Sequence, residues 1–209
     1  MILKMDKEQS YTFFAAVSRM KYIERWALMR ASRPENLSEH SLEVAMIAHA
    51  LCTIANVRYG KNLNGERAAL IALYHDATEI ITGDMPTPVK YGSDRLRSAY
   101  KAVEAEAQDH QLGRLPEDLQ PAFREILMPE ADETKDKDQS YMLRLVKAAD
   151  KLSALIKCIE EENAGNGEFR TAKESTQRSI DAMCDELPEV RDFVREFLPP
   201  YGSTLDELS

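Results

Sequence analysis

The sequence predicts an all-α protein folded as a single domain over residues 1–209, and three observations carry that prediction. Residues that form helices readily (Ala, Leu, Glu, Lys, Met) dominate nearly every stretch, and only 8 of the 209 residues are glycine. Apolar residues recur at three- and four-residue steps rather than in strict alternation, which is the period of a helix with one face in a core. No internal repeat, low-complexity tract or linker divides the chain, and a chain of this length can bury a substantial core without cross-links.

The elements follow in order. Asn36 can cap a helix, Glu39 sits three residues on as in a capping box, and Leu42, Ala45, Ala48, Leu51, Cys52 and Ala55 form its apolar stripe. A second helix is expected from near Asn64 through Leu70, Leu73 and Tyr74 towards Ile81, with Gly83 as its stop. The segment GDMPTPVKYGS has two prolines and two glycines and reads as a loop. From Ser93 a helix carries Leu96, Tyr100, Val103 and Ala107 on one face and ends near Gly113. Pro116 is expected to open the next helix, and DETKDKDQ to be an exposed loop. A long helix over 140–162 turns Leu143, Val146, Ala149, Leu152, Leu155 and Ile156 inward and breaks at Gly165 and Gly167. Helices over about 168–186 and 188–197 close the chain before a short acidic tail.

Composition excludes several functions. With 27 basic against 36 acidic residues the net charge is −9, and no long basic run offsets it, so a nucleic-acid polymer is not an expected partner. A protein of this charge that handles phosphates must gather positive charge in one pocket, by a metal or by selected Arg and Lys. Cys52, Cys158 and Cys184 are odd in number and far apart, which argues against a disulfide scaffold or a thiolate zinc site. Their ordinary reading is small buried hydrophobes. The start MILKMDKEQSYTFF lacks the apolar stretch of a signal peptide, and no uncharged apolar run approaches the roughly 20 residues of a membrane span. The expectation is a cytoplasmic protein without a membrane partner.

The chemistry gathers around four residues. His75 and Asp76 are adjacent at the polar end of AALIALYHDATE, and Glu79 lies four and three residues after them, so all three are expected on one side of the same helix. A solvated helix end would be the ordinary reading of that trio. His40, in ENLSEHSLEVAMIAHA, starts a helix whose other face is strongly apolar; a lone histidine there often makes only a local hydrogen bond. Asp150, in VKAADKLSAL, sits in a stripe of Ala, Leu and Val where a carboxylate is costly to bury unless paired or metal-bound. Lys147 or Lys151 could provide that pair. Taken together, His40, His75, Asp76 and Asp150 give two imidazoles and two carboxylates from three helices. That mixed nitrogen–oxygen set suits one divalent cation such as Mn²⁺, Co²⁺, Ni²⁺, Fe²⁺ or Zn²⁺. Such an ion lowers the pKa of a ligated water and polarises a phosphoryl oxygen. His49 lies nine residues after His40, about half a turn round the same helix, and His110 belongs to a separate helix, so neither is an expected ligand.

The H…HD…D pattern resembles that of the HD-domain phosphohydrolases. The runs ERWALMR, ENLSEHSLEVAMIAHAL, ALYHDATEIITGDMPTPVKY and VKAADKLSALIKCIEE are similar to the bacterial 5′-deoxynucleotidases within it, over about residues 13–197. The resemblance implies an HD-type helical bundle that hydrolyses deoxyribonucleoside 5′-monophosphates to deoxynucleoside and phosphate. It also implies a homodimer and one divalent cation, with Co²⁺ or Mn²⁺ favoured. The family's metal ligands fall on His40, His75, Asp76 and Asp150, and its essential glutamate on Glu79. Its phosphate-orienting arginine falls on Arg25, the aromatic near the sugar on Trp26, and its second acidic residue on Asp84. Its substrate loop falls on Thr87, Pro88, Val89 and Lys90. These residues suit those tasks: a guanidinium offers a planar fork to phosphate oxygens, and Trp26 could wall off C2′ and disfavour ribonucleotides. The spacer from Asp76 to Asp150 is longer than the family's, with the surplus in or near DETKDKDQ. Two rival readings are an HD hydrolase of another nucleotide (a triphosphate, cyclic nucleotide or alarmone) and a non-catalytic nucleotide-binding module. A third, a helical scaffold with an accidental HD dipeptide, is the least supported.

Overall fold

The computed structural model describes residues 10–86 and 93–209. The expected all-α architecture is what it shows. Helix α1 (Phe13–Val17) leads through a 3-10 turn (Ser18–Tyr22) into a two-residue strand β1 (Glu24–Arg25). That strand pairs antiparallel with β2 (Glu35–Asn36), which runs directly into α2 (Leu37–Tyr59). Next come α3 (Gly65–Tyr74), α4 (Glu79–Thr82), α5 (Asp94–Leu112) and α6 (Gln120–Leu127). The long α7 (Lys137–Asn163), α8 (Arg170–Glu186) and α9 (Pro188–Glu196) complete the bundle before short 3-10 turns at the C-terminal end.

The capping box forms as expected. Asn36 Oδ1 accepts from the backbone N–H groups of Ser38 and Glu39, and Glu39 Oε2 accepts from the Asn36 N–H at 3.2 Å. At the other end Gly60, with φ +65°, takes the left-handed conformation that lets α2 stop and the chain turn into α3. The main core lies where α2, α3, α7 and α9 meet: Ala48, Leu51, Ala55, Ala68, Ala72, Ala148, Ala149, Leu152, Leu155 and Val190 are all fully buried. The many alanines let α2, α3 and α7 approach closely. Leu51→Ala there would cost roughly 2–5 kcal/mol in lost transfer and cavity terms. A second cluster joins α1, α5 and α6 through Phe13, Leu112, Leu115 and Leu127, with Phe13 and Phe123 ring centroids 5.0 Å apart. Helix α2 is the one described helix long and apolar enough to cross a membrane (mean hydropathy 1.2), but 56% of that stretch is buried by the helices around it. Cys52, Cys158 and Cys184 are free thiols, the first two buried.

Several boundaries differ from the expectations. The helix expected to run from Asn64 to Ile81 is two helices, separated by a turn at 75–78. In that turn Ala77 N–H bonds Tyr74 O and Glu79 N–H bonds Asp76 O, three residues back instead of four. Side chains compete for the carbonyls: His75 Nδ1 lies 2.6 Å from Ala72 O and Gln111 Nε2 3.1 Å from Ala77 O. Gly83, with φ +72°, is nevertheless the stop. The helix expected at Pro116 opens instead at Gln120 with Pro121 in its first turn, while Pro116 begins a turn. Helix α7 starts three residues earlier than expected, because Asp136 caps it through the Gln139 N–H; DETKDKDQ is therefore only partly loop. Leu42, Leu96 and Val103, expected inward, are about half exposed, since their helices pack over a narrower stripe than the sequence offers. The two-residue ladder was not expected.

Candidate metal centre

His40 lies one turn inside α2, where the capping box fixes the register and the flanking Leu37 and Val44 are fully buried. Its ring is therefore driven inward and has no solvent exposure. His75 and Asp76 come from the turn after α3, and Asp150 from the middle of α7. His40, His75 and Asp76 bring one ligand atom each to within 4.8 Å of one another. His75 Nε2 stands 3.1 Å from Asp76 Oδ2. His40 Nε2 stands 3.6 Å from Asp76 Oδ2 and 3.2 Å from Asp150 Oδ1. Asp150 thus reaches the trio through His40, while its other oxygen lies 3.4 Å from Lys151 Nζ. Asp150 therefore lies beside Lys151 on one side and His40 on the other.

The second nitrogen of each imidazole decides what the first can do. His75 Nδ1 faces the Ala72 carbonyl, which only accepts, so Nδ1 carries a proton and Nε2 is the atom left to take a second proton or a cation. His40 Nδ1 lies 3.0 Å from Ser153 Oγ, and the Ser153 hydroxyl donates to Glu43 Oε2 at 2.6 Å. That hydroxyl proton is committed, so Ser153 accepts from His40 Nδ1–H and its Nε2 is left with its lone pair. Neither Nε2 makes a hydrogen bond of acceptable geometry, although both are buried. Two buried imidazole Nε2 atoms facing two carboxylates fit a divalent cation.

The charges agree. Burial, aided by the Arg25 charge, holds His40 below the usual imidazole range and hence neutral. Burial would raise Asp150, but His40 and Lys151 overrule it and keep the carboxylate ionised; Asp76 is likewise lowered against its burial, chiefly by His75. His75 is pushed up to about 9, as Asp76 and Asp150 outweigh its burial. The cluster therefore attracts one positive charge at this point, either a proton on His75 or a cation that displaces it.

Of the other residues named by the resemblance, Glu79, Arg25, Trp26 and Asp84 are among the described residues. Glu79 opens α4 and is only 9% exposed. The shared-helix argument for it is corrected by the turn at 75–78, which carries the chain from Asp76 to Glu79 through the Glu79 N–H to Asp76 O bond of 2.9 Å. Arg25 is on β1, close enough to feel Asp150, Asp76 and Asp84. Trp26 follows it, and its backbone N–H donates to Asp84 Oδ2 at 3.2 Å. Burial raises the Asp84 carboxyl, opposed by Arg25 and by that N–H. Thr87, Pro88, Val89 and Lys90 lie outside the described residues. His49 and His110 are exposed.

Three residues escaped the sequence reading. Glu35 Oε2 accepts from Arg25 Nη1 at 2.8 Å and from Trp26 Nε1 at 3.0 Å. Nothing in the sequence announces a two-residue ladder, so no signal pointed to it. Ser153 and Glu43, in contrast, lie three residues after Asp150 and His40 on their helices, and the helical period alone would have put them on the ligand faces.

Comparison with known proteins fits this geometry. A family model described as 5′-deoxynucleotidase YfbR-like matches residues 12–201. The 5′-deoxynucleotidase YfbR of Escherichia coli O1:K1 is 46% identical over 197 residues, covering 94% of this chain and 95% of that protein. An HD-domain phosphohydrolase from Listeria innocua superposes with a TM-score of 0.77 at 25% identity, covering 93% of this chain and 90% of its own. A cyanophage S-2L HD phosphohydrolase, solved with dA and one catalytic Zn²⁺ ion, shares the fold at a TM-score of 0.56 and 19% identity, covering 93% of this chain and 98% of its own. Matched across nearly its whole length, the chain belongs to the 5′-deoxynucleotidase YfbR-like family of HD-domain phosphohydrolases.

Proposed function

We propose that this protein is a metal-dependent 5′-deoxynucleotidase, one HD-type phosphohydrolase domain over residues 1–209 that converts deoxyribonucleoside 5′-monophosphates to deoxynucleoside and phosphate. The observation that carries the reading is the pair of buried imidazole Nε2 atoms facing Asp76 and Asp150, with Arg25 close enough for its charge to be felt at His40. The name carried by its relatives at 46% identity supports the substrate class.

In this reading His40, His75, Asp76 and Asp150 hold one divalent cation, Co²⁺ or Mn²⁺ by preference. Zn²⁺, Ni²⁺ and Fe²⁺ suit the same donors, and the zinc of the cyanophage neighbour lends Zn²⁺ support. When bound, such a cation supplies Lewis acidity, lowering the pKa of a water and polarising a phosphoryl oxygen. Glu79 steers or deprotonates the attacking water; its burial and its position just past Asp76 support that task. Asp84 assists proton transfer or holds the sugar 3′-hydroxyl, and its hydrogen bond from the Trp26 N–H, beside the proposed sugar wall, supports that placement. Arg25 neutralises charge that builds on the phosphoryl oxygens. Trp26 closes the C2′ side of the sugar, and the loop of Thr87, Pro88, Val89 and Lys90 holds the phosphate. A homodimer in the cytoplasm completes the reading; exposed Leu42, Met46 and Val57 along one stripe of α2 support self-association.

The test is phosphate release from dAMP, dGMP, dCMP and TMP beside their ribose counterparts. The protein is stripped of metal and resupplied with Mn²⁺, Co²⁺, Zn²⁺ or Mg²⁺. Metal-dependent release from the deoxy substrates alone is expected. Release from both sugars removes the role given to Trp26, and no release with any metal sinks the nucleotidase.

A further inference from the structure

Resting on the reading of Arg25 as the phosphate arginine and Trp26 as the sugar wall, we propose that Glu35 is a positioning residue that locks these two side chains into one unit. Phosphate binding and rejection of the ribose hydroxyl then depend on the same carboxylate.

One oxygen does the joining. Glu35 Oε2 accepts from Arg25 Nη1 at 2.8 Å and from Trp26 Nε1 at 3.0 Å. Successive residues of an extended strand point to opposite faces, so Arg25 and Trp26 would not ordinarily reach a common acceptor. Trp26 does so because its backbone turns to φ +60°, and it is the one described non-glycine residue with positive φ. A bulky residue in that conformation persists only where its surroundings hold it, and such residues gather at functional sites. Three contacts hold this one: Asp84 Oδ2 on the backbone N–H, Glu35 on the indole N–H, and the edge of Phe169 at 5.3 Å between centroids. The two-residue ladder sets Glu35 directly opposite Arg25. The shared acceptor uses one of the five guanidinium N–H donors and leaves four for a phosphate. An ion pair for stability alone would need no indole in it.

Trp26 is the only tryptophan, so the protein's tryptophan emission reports this one ring. The experiment compares wild type, Glu35→Ala and Glu35→Gln, all loaded with Mn²⁺. In Glu35→Ala the emission maximum shifts and the anisotropy falls. KM for deoxynucleoside monophosphates rises roughly 10-fold or more, the scale of one charge-assisted hydrogen bond. The deoxy-to-ribo ratio of kcat/KM narrows by about 10-fold. Mn²⁺ affinity stays within about twofold, because Glu35 lies outside the proposed ligand set. Glu35→Gln keeps an acceptor oxygen and returns the emission and the sugar ratio towards wild type, which guards against a misfolded alanine variant. Unmoved emission and sugar ratio in both variants would overturn the proposal. So would a raised KM with those two unmoved, since Glu35 would then serve Arg25 alone. Were wild type inactive on every 5′-monophosphate, the reading of the site would fall, while the emission of the variants would still decide whether Glu35 holds Trp26.

Discussion

The histidine–aspartate cluster and the Arg25–Trp26 corner meet in space but are built in opposite ways. His40 and Asp150 sit inside long helices whose backbones are satisfied internally, and their positions follow from the packing of α2 against α7. Arg25 and Trp26 sit on a two-residue strand and a strained turn, where the hydrogen bonds they donate to Glu35 and Asp84 do the holding. Helix-borne residues are positioned by the core, so damage to them shows first in chemistry. Loop-borne residues are positioned by side-chain clamps, so damage to the clamps shows in stability and specificity together.

The largest effect should come from the cluster. Asp150→Asn neutralises one carboxylate of the cluster and leaves the backbone that carries the other donors in place. Activity should fall about 10³-fold or more, equivalent to about 4 kcal/mol, and bound metal measured by mass spectrometry should fall in parallel. The unfolding temperature should drop modestly, because the lowered pKa of Asp150 means that the folded protein favours its charge. Normal metal content with lost activity would instead move Asp150 out of the ligand set.

The clamp beneath the other corner offers the contrasting break. Glu161 is fully buried and accepts from Lys157 Nζ at 2.5 Å, from Ser32 N–H at 2.7 Å and from Asn166 Nδ2 at 2.7 Å. Lys157 also donates to Arg33 O, and Asn166 to Arg30 O, so the segment after Trp26 is stitched to the end of α7. Glu161→Gln leaves the Lys157 charge uncompensated and should cost about 3 kcal/mol, read as a lowered unfolding midpoint in urea. Burial would raise this carboxyl, but the three donors hold it down at about 2 from an ordinary 4.5. A lowered folded pKa gives stability that is complete above about 4.5 and is lost as pH falls towards 2. Wild type should lose that increment across this window, and Glu161→Gln should show a flatter acid limb. An unchanged limb would mean another carboxylate governs acid unfolding.

This difference in construction also explains what the sequence disclosed. The capping box at Asn36, the stripe of α7 and the helix faces that carry His40 and Asp150 obey the 3.6-residue period, and that period is visible in a single chain. The break at 75–78 was hidden because the period of a single segment carries no trace of side-chain contacts such as that of Gln111, 34 positions downstream, with the Ala77 carbonyl. Glu35 was hidden for the same reason in sharper form: its value lies in two partners brought to it by a left-handed turn at Trp26, which no propensity predicts. Arg25, Trp26 and Asp84 were found through family likeness and not through periodicity.

Ser153 tests the boundary between the two kinds of construction, since it is helix-borne yet acts as a clamp. Its hydroxyl links His40 Nδ1 to Glu43, and burial raises that glutamate's carboxyl while the Ser153 hydroxyl opposes the rise. Ser153→Ala should weaken metal binding by about 10–100-fold, the usual scale for outer-shell partners of a ligating histidine, measured by competition with a chromophoric chelator. Ser153→Thr keeps the hydroxyl and should recover most of the affinity. Equal affinity in all three proteins would show that core packing alone orients His40.

The smallest expected effect falls at Asn36, where the two regions join. This residue ends β2, opposite Glu24, and caps α2 four residues before His40. Asn36→Ala should cost about 1 kcal/mol, an ordinary price for a lost cap, and lower the unfolding temperature by roughly 2–4 °C for a chain of this size. Its distribution is the sharper test. Should the cap matter only to α2, metal affinity should slip slightly and the emission of Trp26 should stay as it is. Should it also tension the ladder that holds Glu35 opposite Arg25, emission and sugar preference should move while metal affinity holds. The second pattern is expected, because α2 has a core along its whole length to fix His40, whereas a two-residue ladder that loses the side chain at one of its four positions has little left to hold it.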